Sequence, residues 1–289
     1  MNGLKVTVLM VTLVLLFMAV GYLVGGQRGM ILAFLLACVM NFLSYWYSDR
    51  IVISMYRARQ IFEADHPRLY RIVKEVATVR ALLPMPKVYI VPSKAPNAFA
   101  TGRDAEHASV AVTEGLLEIL TDDELKGVIG HEIAHIQNKD LLIGTIVATF
   151  AGAIGILAAI ARWGAIFGGY SRDDNRGGGI GLLVAAIVAP LVAMLIQFAI
   201  SRQREYKADA ESGRLTGKYR ELASALEKLH QSPVRLKLDQ RPATAHLMIA
   251  KPLSGRGLSG LFSTHPPVEK RVERLRRMMQ DSTYQGYVS

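Results

Sequence analysis

The residues best suited to chemistry lie in one short stretch, where positions 131–135 read H-E-I-A-H. Residues four apart lie on one face of an α-helix, so the imidazoles of His131 and His135 can bind a single cation. Two neutral imidazoles suit Zn²⁺, and Glu132 lies where a carboxylate can take a proton from an attacking water without binding the metal itself. The stretch therefore predicts a zinc site of the kind that hydrolyses amide bonds.

The helix that this motif requires is predicted independently by the residues before it. Thr121 and Glu124 have the spacing of a capping box, and the acidic residues after Thr121 suit the positive end of a helix dipole. We expect a helix over residues 122–139. With seven histidines in the chain, composition alone would produce the motif in roughly one shuffled chain in a hundred, and the helical context argues further against coincidence.

A catalytic zinc ion needs a third protein ligand and one open position for water. No histidine follows at the spacing H-E-x-x-H-x-x-G-x-x-H, so the third ligand must come from another part of the chain. Residues 204–209 read R-E-Y-K-A-D, which places Glu205 and Asp209 four apart on one helix face. One carboxylate could bind the metal while the other accepts a hydrogen bond from a ligating histidine. Taken alone, such a pair is ordinarily a solvated face.

Four long hydrophobic runs must position these residues. Of the 289 residues, 51% are hydrophobic, and the mean hydropathy of +0.25 is high for a soluble domain. Each run has close to the ~20 residues that cross a bilayer. The runs cover residues 4–23, 30–47, 141–167 and 180–200. No cleavage site follows the first run, so we expect a retained membrane anchor and not a secretory signal.

The net charge of +10 fits membrane orientation better than nucleic-acid binding. The basic residues are not clustered with aromatic residues that could stack on bases, which argues against a nucleic-acid partner. Residues 48–140 and 201–289 contain 12 and 17 of the 34 basic residues, whereas the two hairpin loops contribute only Arg28, Arg172 and Arg176. The positive-inside rule then predicts that both long stretches face the cytoplasm. The two runs between His131 and Glu205 leave these residues on one side of the membrane, whether the pair spans the bilayer or forms a hairpin that never crosses it.

Shorter elements are predicted around the motif by periodicity and turn signals. We expect helices over residues 67–83, 219–230 and 268–279, and strands over 88–91, 98–100 and 109–112. The single Cys38 excludes an intrachain disulfide. Four segments follow from this organisation. They are an N-terminal transmembrane hairpin (1–48), the first part of a cytoplasmic catalytic domain (49–140), a second transmembrane pair (141–200) and the second part of the catalytic domain (201–289).

Together these features resemble the HtpX-type membrane metalloproteases, relatives of the CAAX prenyl proteases in the gluzincin group. The resemblance covers nearly the whole chain, and it rests on the hydrophobic pairs and on four motifs in order. These are P-N-A-F-A at 96–100, H-E-I-A-H at 131–135 with Asn138 and Asp140, R-E-Y-K-A-D at 204–209, and S-T-H-P-P at 263–267. It implies an α+β, mainly helical, zincin-like metalloprotease domain with a small β-sheet, carried on four transmembrane helices.

The resemblance also implies a role for the residues in these motifs. One Zn²⁺ per chain would be held by His131, His135 and Glu205, with Glu132 as the general base and Asp209 orienting a ligating histidine.

Three further motif assignments come from the resemblance. His265 would lie near the developing oxyanion, and Arg271 would support the site. Without the resemblance, His265 would be a turn residue before a helix and Arg271 one of several basic residues on a solvated face. An edge strand of Asn97, Ala98, Phe99 and Ala100 would pair with an extended substrate backbone.

The function implied by the resemblance is protein quality control under stress, by cleavage of misfolded or damaged membrane proteins. The expected location is the bacterial inner membrane, with the active site facing the cytoplasm, and the expected partners are unfolded or misfolded polypeptides and the lipid bilayer. The sequence specifies neither a cleavage preference nor an oligomeric state. Residues 241–262 read equally well as a lid over the cleft and as a disordered connector.

Two other classes of protein agree less well with the sequence than a protease does. A metal-stabilised membrane scaffold or holdase would bind extended polypeptide without cleaving it, but structural zinc needs no base such as Glu132. A transporter would need ionisable residues within its hydrophobic runs, and these runs contain almost none apart from Arg162.

Overall fold

The computed structural model describes residues 2–142, 146, 202–233 and 266–280. In this part of the chain the protein is mainly helical, with one small mixed sheet. The helices are α1 (Asn2–Trp46), α2 (Ser48–Met55), α3 (Pro67–Lys74), α4 (Glu114–Ile119), α5 (Asp122–Gln137), α6 (Arg202–Thr216), α7 (Tyr219–Gln231) and α8 (Val268–Gln280). The strands are β1 (Arg59–Ile61), β2 (Lys87–Val91), β3 (Ala98–Thr101) and β4 (Ser109–Thr113).

The N-terminal helix α1 folds back on itself at Gly26, whose φ of +59° suits a residue without a side chain. The side-chain amide of Asn41 donates a hydrogen bond to the Met10 carbonyl at 3.2 Å, so the two halves lie side by side. In the described residues, Gly26–Trp46 is the one segment long and apolar enough to cross a bilayer, and Val6–Tyr22 is a shorter apolar helix. The third and fourth predicted membrane runs lie almost wholly outside the described residues.

The four strands form a sheet in the order β1-β2-β4-β3, with β2 parallel to β4 and the other pairs antiparallel. The three predicted strands are confirmed, each longer by one residue. β3 is at an edge. The Asn97 carbonyl accepts a hydrogen bond from the Thr113 amide at 2.9 Å, and because pairing alternates along an antiparallel ladder, the peptide groups of Ala98 and Ala100 point to the open side.

The predicted helix over residues 122–139 is confirmed as α5, which lies against the sheet in the main hydrophobic core. Its capping box is complete: the Thr121 amide donates to the Glu124 carboxylate at 2.9 Å, and the Glu124 amide donates to the Thr121 hydroxyl at 3.3 Å. The helices predicted over 219–230 and 268–279 are also confirmed. The helix predicted over 67–83 is α-helical only to Lys74 and continues as a π-helix over Glu75–Arg80.

Glycines on α5 let α6 approach closely. A methyl group at Gly130 would lie 2.6 Å from the Ser212 hydroxyl oxygen, which is closer than real side chains come. The same hydroxyl donates a hydrogen bond to the Gly127 carbonyl at 2.6 Å. Because α6 also carries Glu205 and Asp209, this packing fixes their distance from the histidines of α5.

The α5 cap provides a test of the fold. Thr121→Ala removes the side-chain acceptor at the start of the helix, and we expect it to lower the free energy of unfolding by about 1 kcal/mol. Thr78→Ala is the matched control, because the Thr78 hydroxyl only bonds the Lys74 carbonyl one turn earlier on an exposed surface. Thermal unfolding of both variants in detergent would measure the difference. Equal midpoints would contradict a stabilising cap.

Candidate active site

Three potential metal ligands from two helices converge at one point. His131 and His135 come from α5 and Glu205 from the first turn of α6. The two Nε2 atoms are 3.2 Å apart. The Glu205 carboxylate oxygens lie 3.6 Å from His131 Nε2 and 3.6 Å from His135 Nε2. One ligand atom from each residue therefore falls within 4.8 Å of the others.

These separations fit a single tetrahedral ion. Zinc binds imidazole nitrogen and carboxylate oxygen at about 2.0–2.2 Å, so two ligand atoms of a tetrahedron lie about 3.3–3.5 Å apart. The observed spacings of 3.2 and 3.6 Å bracket that value. Two imidazoles and one carboxylate are also a donor set of catalytic zinc sites, which leave the fourth position open.

His131 is held from behind by a buried pair of opposite charges. Its Nδ1 is 3.0 Å from Asp209 Oδ1, and Arg271 donates to both Asp209 oxygens at 2.8 and 2.6 Å. Arg271 is fully buried, so its interpretation as part of a solvated face is wrong. Burial alone would raise the pKa of Asp209, but the charges and hydrogen bonds of Arg271 and His131 together outweigh burial and lower this pKa to about 2.

The same contacts shift the proton affinity of His131. Burial alone would lower its pKa, but hydrogen bonds to Asp209 and Glu205 outweigh burial and raise the pKa to about 9. Without a metal ion, His131 is therefore an imidazolium at neutral pH. A cation that binds its Nε2 has to displace this proton.

His135 has a carboxylate partner of its own. Its Nδ1 is 3.3 Å from Asp140 Oδ2, just beyond the end of α5. Asp140 follows the H-E-I-A-H motif, where the sequence predicts a helix cap or the boundary of the third hydrophobic run and not a contact with His135. The sequence does contain a carboxylate five residues after a ligating histidine. The contact between the two side chains depends, however, on the turn after α5 that folds the chain back towards the histidine.

Glu132 lies between the metal cluster and the edge strand. Its carboxylate accepts a hydrogen bond from the Ala100 amide, one of the peptide groups on the open side of β3. Burial raises the pKa of Glu132, and the neighbouring histidines only partly oppose this shift. The group is therefore a stronger base than an exposed glutamate.

The structure brings together His131, Glu132, His135, Glu205, Asp209 and Arg271. His265 lies outside the described residues. In the strand predicted to bind substrate, the backbone N–H and C=O groups of Ala98 and Ala100 point away from β4. The Asn97 amide instead donates a hydrogen bond to the Thr113 hydroxyl of β4 at 2.8 Å. The Phe99 ring packs against Tyr56, with ring centroids 4.7 Å apart. Asn97 and Phe99 therefore hold the strand in place, and their backbone N–H and C=O groups do not point towards a ligand at the open edge.

Comparison with known proteins gives concordant matches. The model of Peptidase family M48 matches residues 63–279. A relative described as "Protease HtpX homolog" from Syntrophobacter fumaroxidans is 55% identical over 281 residues, which cover 95% of this chain and 98% of that protein. A protein of the same description from Thermococcus kodakarensis is 54% identical, with 96% of each chain covered.

One solved structure is similar in fold. It is described as "Crystal Structure of S. mikatae Ste24p", and it superposes with a TM-score of 0.52 at 20% sequence identity. The match covers 83% of this chain but 57% of that chain, so the similarity concerns the fold of a part of the larger protein.

Metal binding at this cluster should depend on pH, because a proton and the metal ion compete for His131. With a pKa of about 9 in the metal-free protein, the apparent Zn²⁺ affinity should rise about tenfold per pH unit between pH 7 and 9. An ordinary histidine, with a pKa of about 6.5, would contribute almost no change there. Chelator competition at pH 7, 8 and 9 would measure the slope, after correction for the chelator's own protonation.

Asp209→Asn is the control for the pH experiment. This variant removes the charge that raises the pKa of His131, so its zinc affinity should change less with pH than that of wild type. A wild-type affinity that is constant above pH 7 would contradict the pKa assignment.

Proposed function

This chain belongs to peptidase family M48, and from that membership we propose that it is a membrane-embedded, zinc-dependent endopeptidase with its metal held by His131, His135 and Glu205. The family makes it a metalloprotease, a hydrolase of peptide bonds. The observation that carries the finer proposal is the cluster of three ligand atoms at tetrahedral spacing, with Glu132 next to it. We assign one Zn²⁺ to each chain.

The residues around the cluster account for the steps of amide hydrolysis. Zn²⁺ bound there would lower the pKa of water and polarise the scissile carbonyl. The Glu132 carboxylate takes the proton of the attacking water and later delivers it to the leaving amine. The Ala100 amide holds this carboxylate in place, and burial makes it more basic. His265 is our candidate for the group that stabilises the oxyanion.

The edge strand is our candidate for substrate alignment. Because the Ala100 amide is bonded to Glu132, the peptide groups of Ala98 and the Ala100 carbonyl are left to pair with an extended chain. Pairing of this kind recognises the backbone and not particular side chains. It suits a protease that acts on unfolded segments of many sequences, and we propose misfolded or damaged membrane proteins as the substrates.

The N-terminal hairpin supports a site close to the membrane surface. Arg103, in the β3–β4 connection, donates to the Trp46 carbonyl at 3.3 Å, and its guanidinium lies 4.9 Å above the Trp46 ring. Trp46 ends the apolar segment Gly26–Trp46, so the end of the substrate strand lies near the end of a candidate span. We propose four transmembrane helices, with residues 49–140 and 201–289 forming one catalytic domain on the cytoplasmic side of a bacterial inner membrane.

The protease assignment is tested by separating metal binding from turnover. Glu132→Gln should keep about one zinc per chain and lose about 10²–10⁴-fold in the cleavage rate of an unfolded model protein, because it removes only the base. Glu205→Ala should weaken zinc binding itself, since it removes a ligand. Metal analysis and cleavage assays on detergent-solubilised protein measure both effects.

Glu118→Gln is the matched control for these two variants, because the Glu118 side chain is more than half exposed and, in the described part of the chain, forms an ion pair with Lys94 on the surface. It should behave as wild type. Cleavage by Glu132→Gln at the wild-type rate would exclude Glu132 as the base, and wild-type protein without bound zinc would overturn the proposal.

The substrate strand is tested by removing one outward amide. Ala98→Pro deletes an N–H that faces the open side of β3, so the β3–β4 ladder stays paired. Loss of one backbone hydrogen bond should raise KM about threefold to tenfold. Ala98→Ser keeps the amide and is the control. An unchanged KM for Ala98→Pro, with zinc content and folding intact, would exclude pairing at this position.

A further inference from the structure

The carboxylate behind His135 is itself in contact with an arginine. Asp140 Oδ1 is 3.7 Å from Arg204 Nη1, while Oδ2 of the same side chain is 3.3 Å from His135 Nδ1. We propose that Asp140 and Arg204 are a positioning pair, which holds His135 in its metal-binding orientation and joins the two ends of the segment 141–201. The inference rests on the proposed metal site and adds two residues to it.

The arrangement repeats the one behind His131. In both places an imidazole Nδ1 faces an aspartate that is paired with an arginine, namely Asp209 with Arg271 and Asp140 with Arg204. The pair at His135 is more open, because the Arg204 side chain is 17% exposed and that of Arg271 is fully buried. We therefore expect it to be the weaker of the two supports.

The contact determines which nitrogen of His135 can bind a metal ion. Donation of the Nδ1 hydrogen to Asp140 leaves the lone pair on Nε2, the atom that lies 3.6 Å from Glu205 and 3.2 Å from His131 Nε2. A rotated ring would turn this lone pair away from the cluster, and the other tautomer would place a hydrogen on Nε2 in its stead. Asp140 therefore acts on the metal through His135 and does not touch it.

The backbone also brings Asp140 to His135. After α5 ends, Lys139 takes a left-handed conformation with φ +58°, and the Asp140 amide donates to the His135 carbonyl at 3.0 Å. A non-glycine residue in this region is held there by its surroundings at some cost. Both the backbone and the side chain of Asp140 are thus bonded to the same histidine.

The ion pair between Asp140 and Arg204 also links two parts of the chain that are distant in sequence. Asp140 directly precedes residue 141, where the third hydrophobic run begins, and Arg204 lies in the first turn of α6 beside Glu205. The ion pair therefore links the chain entering the second hydrophobic pair to the chain leaving it. A shift of either end would act on His135 through Asp140 and on Glu205 through its neighbour.

The proposal is tested by zinc affinity, measured by chelator competition on the full-length protein in detergent. Asp140→Ala should raise the zinc dissociation constant about 10–100-fold. Arg204→Gln should raise it about fivefold, because it acts only by loosening Asp140. The double variant should bind zinc no more weakly than Asp140→Ala, since the two residues form one unit.

Lys207→Gln is the matched control. Lys207 lies one turn further along α6 and contacts Glu211 and Asn138, away from the histidine rings. The zinc affinity of the Lys207→Gln variant should therefore equal that of wild type. Asp140→Asn keeps the size of the side chain and covers the case in which Asp140→Ala fails to fold. It should lower zinc affinity without changing the thermal midpoint of the metal-free protein.

The outcomes separate this inference from the proposed function. Wild-type protein that binds no zinc would overturn both. Wild type with one tight zinc, together with unchanged affinity in Asp140→Ala or Asp140→Asn, would overturn the positioning pair alone. Additive effects of Asp140→Ala and Arg204→Gln would show that Arg204 does not act through Asp140, and would overturn the pairing.

Discussion

The buried contact between Asp209 and Arg271 is the interaction on which the rest of the site depends. It lies where three helices meet, with Asp209 on α6, Arg271 on α8 and His131 of α5 against the same carboxylate. Two unlike charges taken out of water are stable only when their hydrogen bonds are complete, and loss of one partner leaves the other uncompensated. The three helices can therefore pack in only one register that satisfies both the core and these charges.

This constraint also sets the net charge of the buried site. Glu132, Glu205 and Asp209 are buried with Arg271 as the balancing cation, so the carboxylates exceed the guanidinium by two charges when the imidazoles are neutral. Uptake of a proton by His131 compensates part of this excess in the metal-free protein. A divalent cation would compensate all of it, so the electrostatics and the spacing of the ligand atoms favour the same kind of occupant.

Local sequence patterns predicted the candidate metal ligands better than the residues that hold these ligands in place. The cap at Thr121 and the i, i+4 pairs on α5 and α6 depend only on helix geometry, so spacing singled out both pairs. Spacing left open whether Glu205 or Asp209 binds the metal, and only the family resemblance selected Glu205. Arg271 lies in a helix whose sequence reads V-E-K-R-V-E-R-L-R-R, and nothing local separates its charge from the exposed ones. Its burial follows from Asp209, which is 62 residues away in the chain.

Three other features of the structure also could not be predicted from local sequence patterns. Strand β1 has three residues, too few for an alternating pattern, and it is held by pairing with β2. Asp140 reaches His135 because Lys139 is left-handed, a conformation that lysine does not signal. The turn in α1 lies at Gly26, a residue type that readily takes a positive φ. Glycine is nevertheless common in apolar helices, so Gly26 does not by itself indicate that the chain reverses direction there.

The edge strand connects the site to the apolar N-terminal hairpin. On one face of β3, Phe99 packs on Tyr56 at the end of α2, which follows α1 directly. From the α5 side, the Ala100 amide is bonded to Glu132. A strand held in both ways cannot move relative to the base or to the N-terminal hairpin without breaking packed contacts. For the proposed pairing of a substrate with β3, the position of the substrate would be set together with the position of the N-terminal hairpin, and the fold would restrict which segments of the substrate reach Glu132.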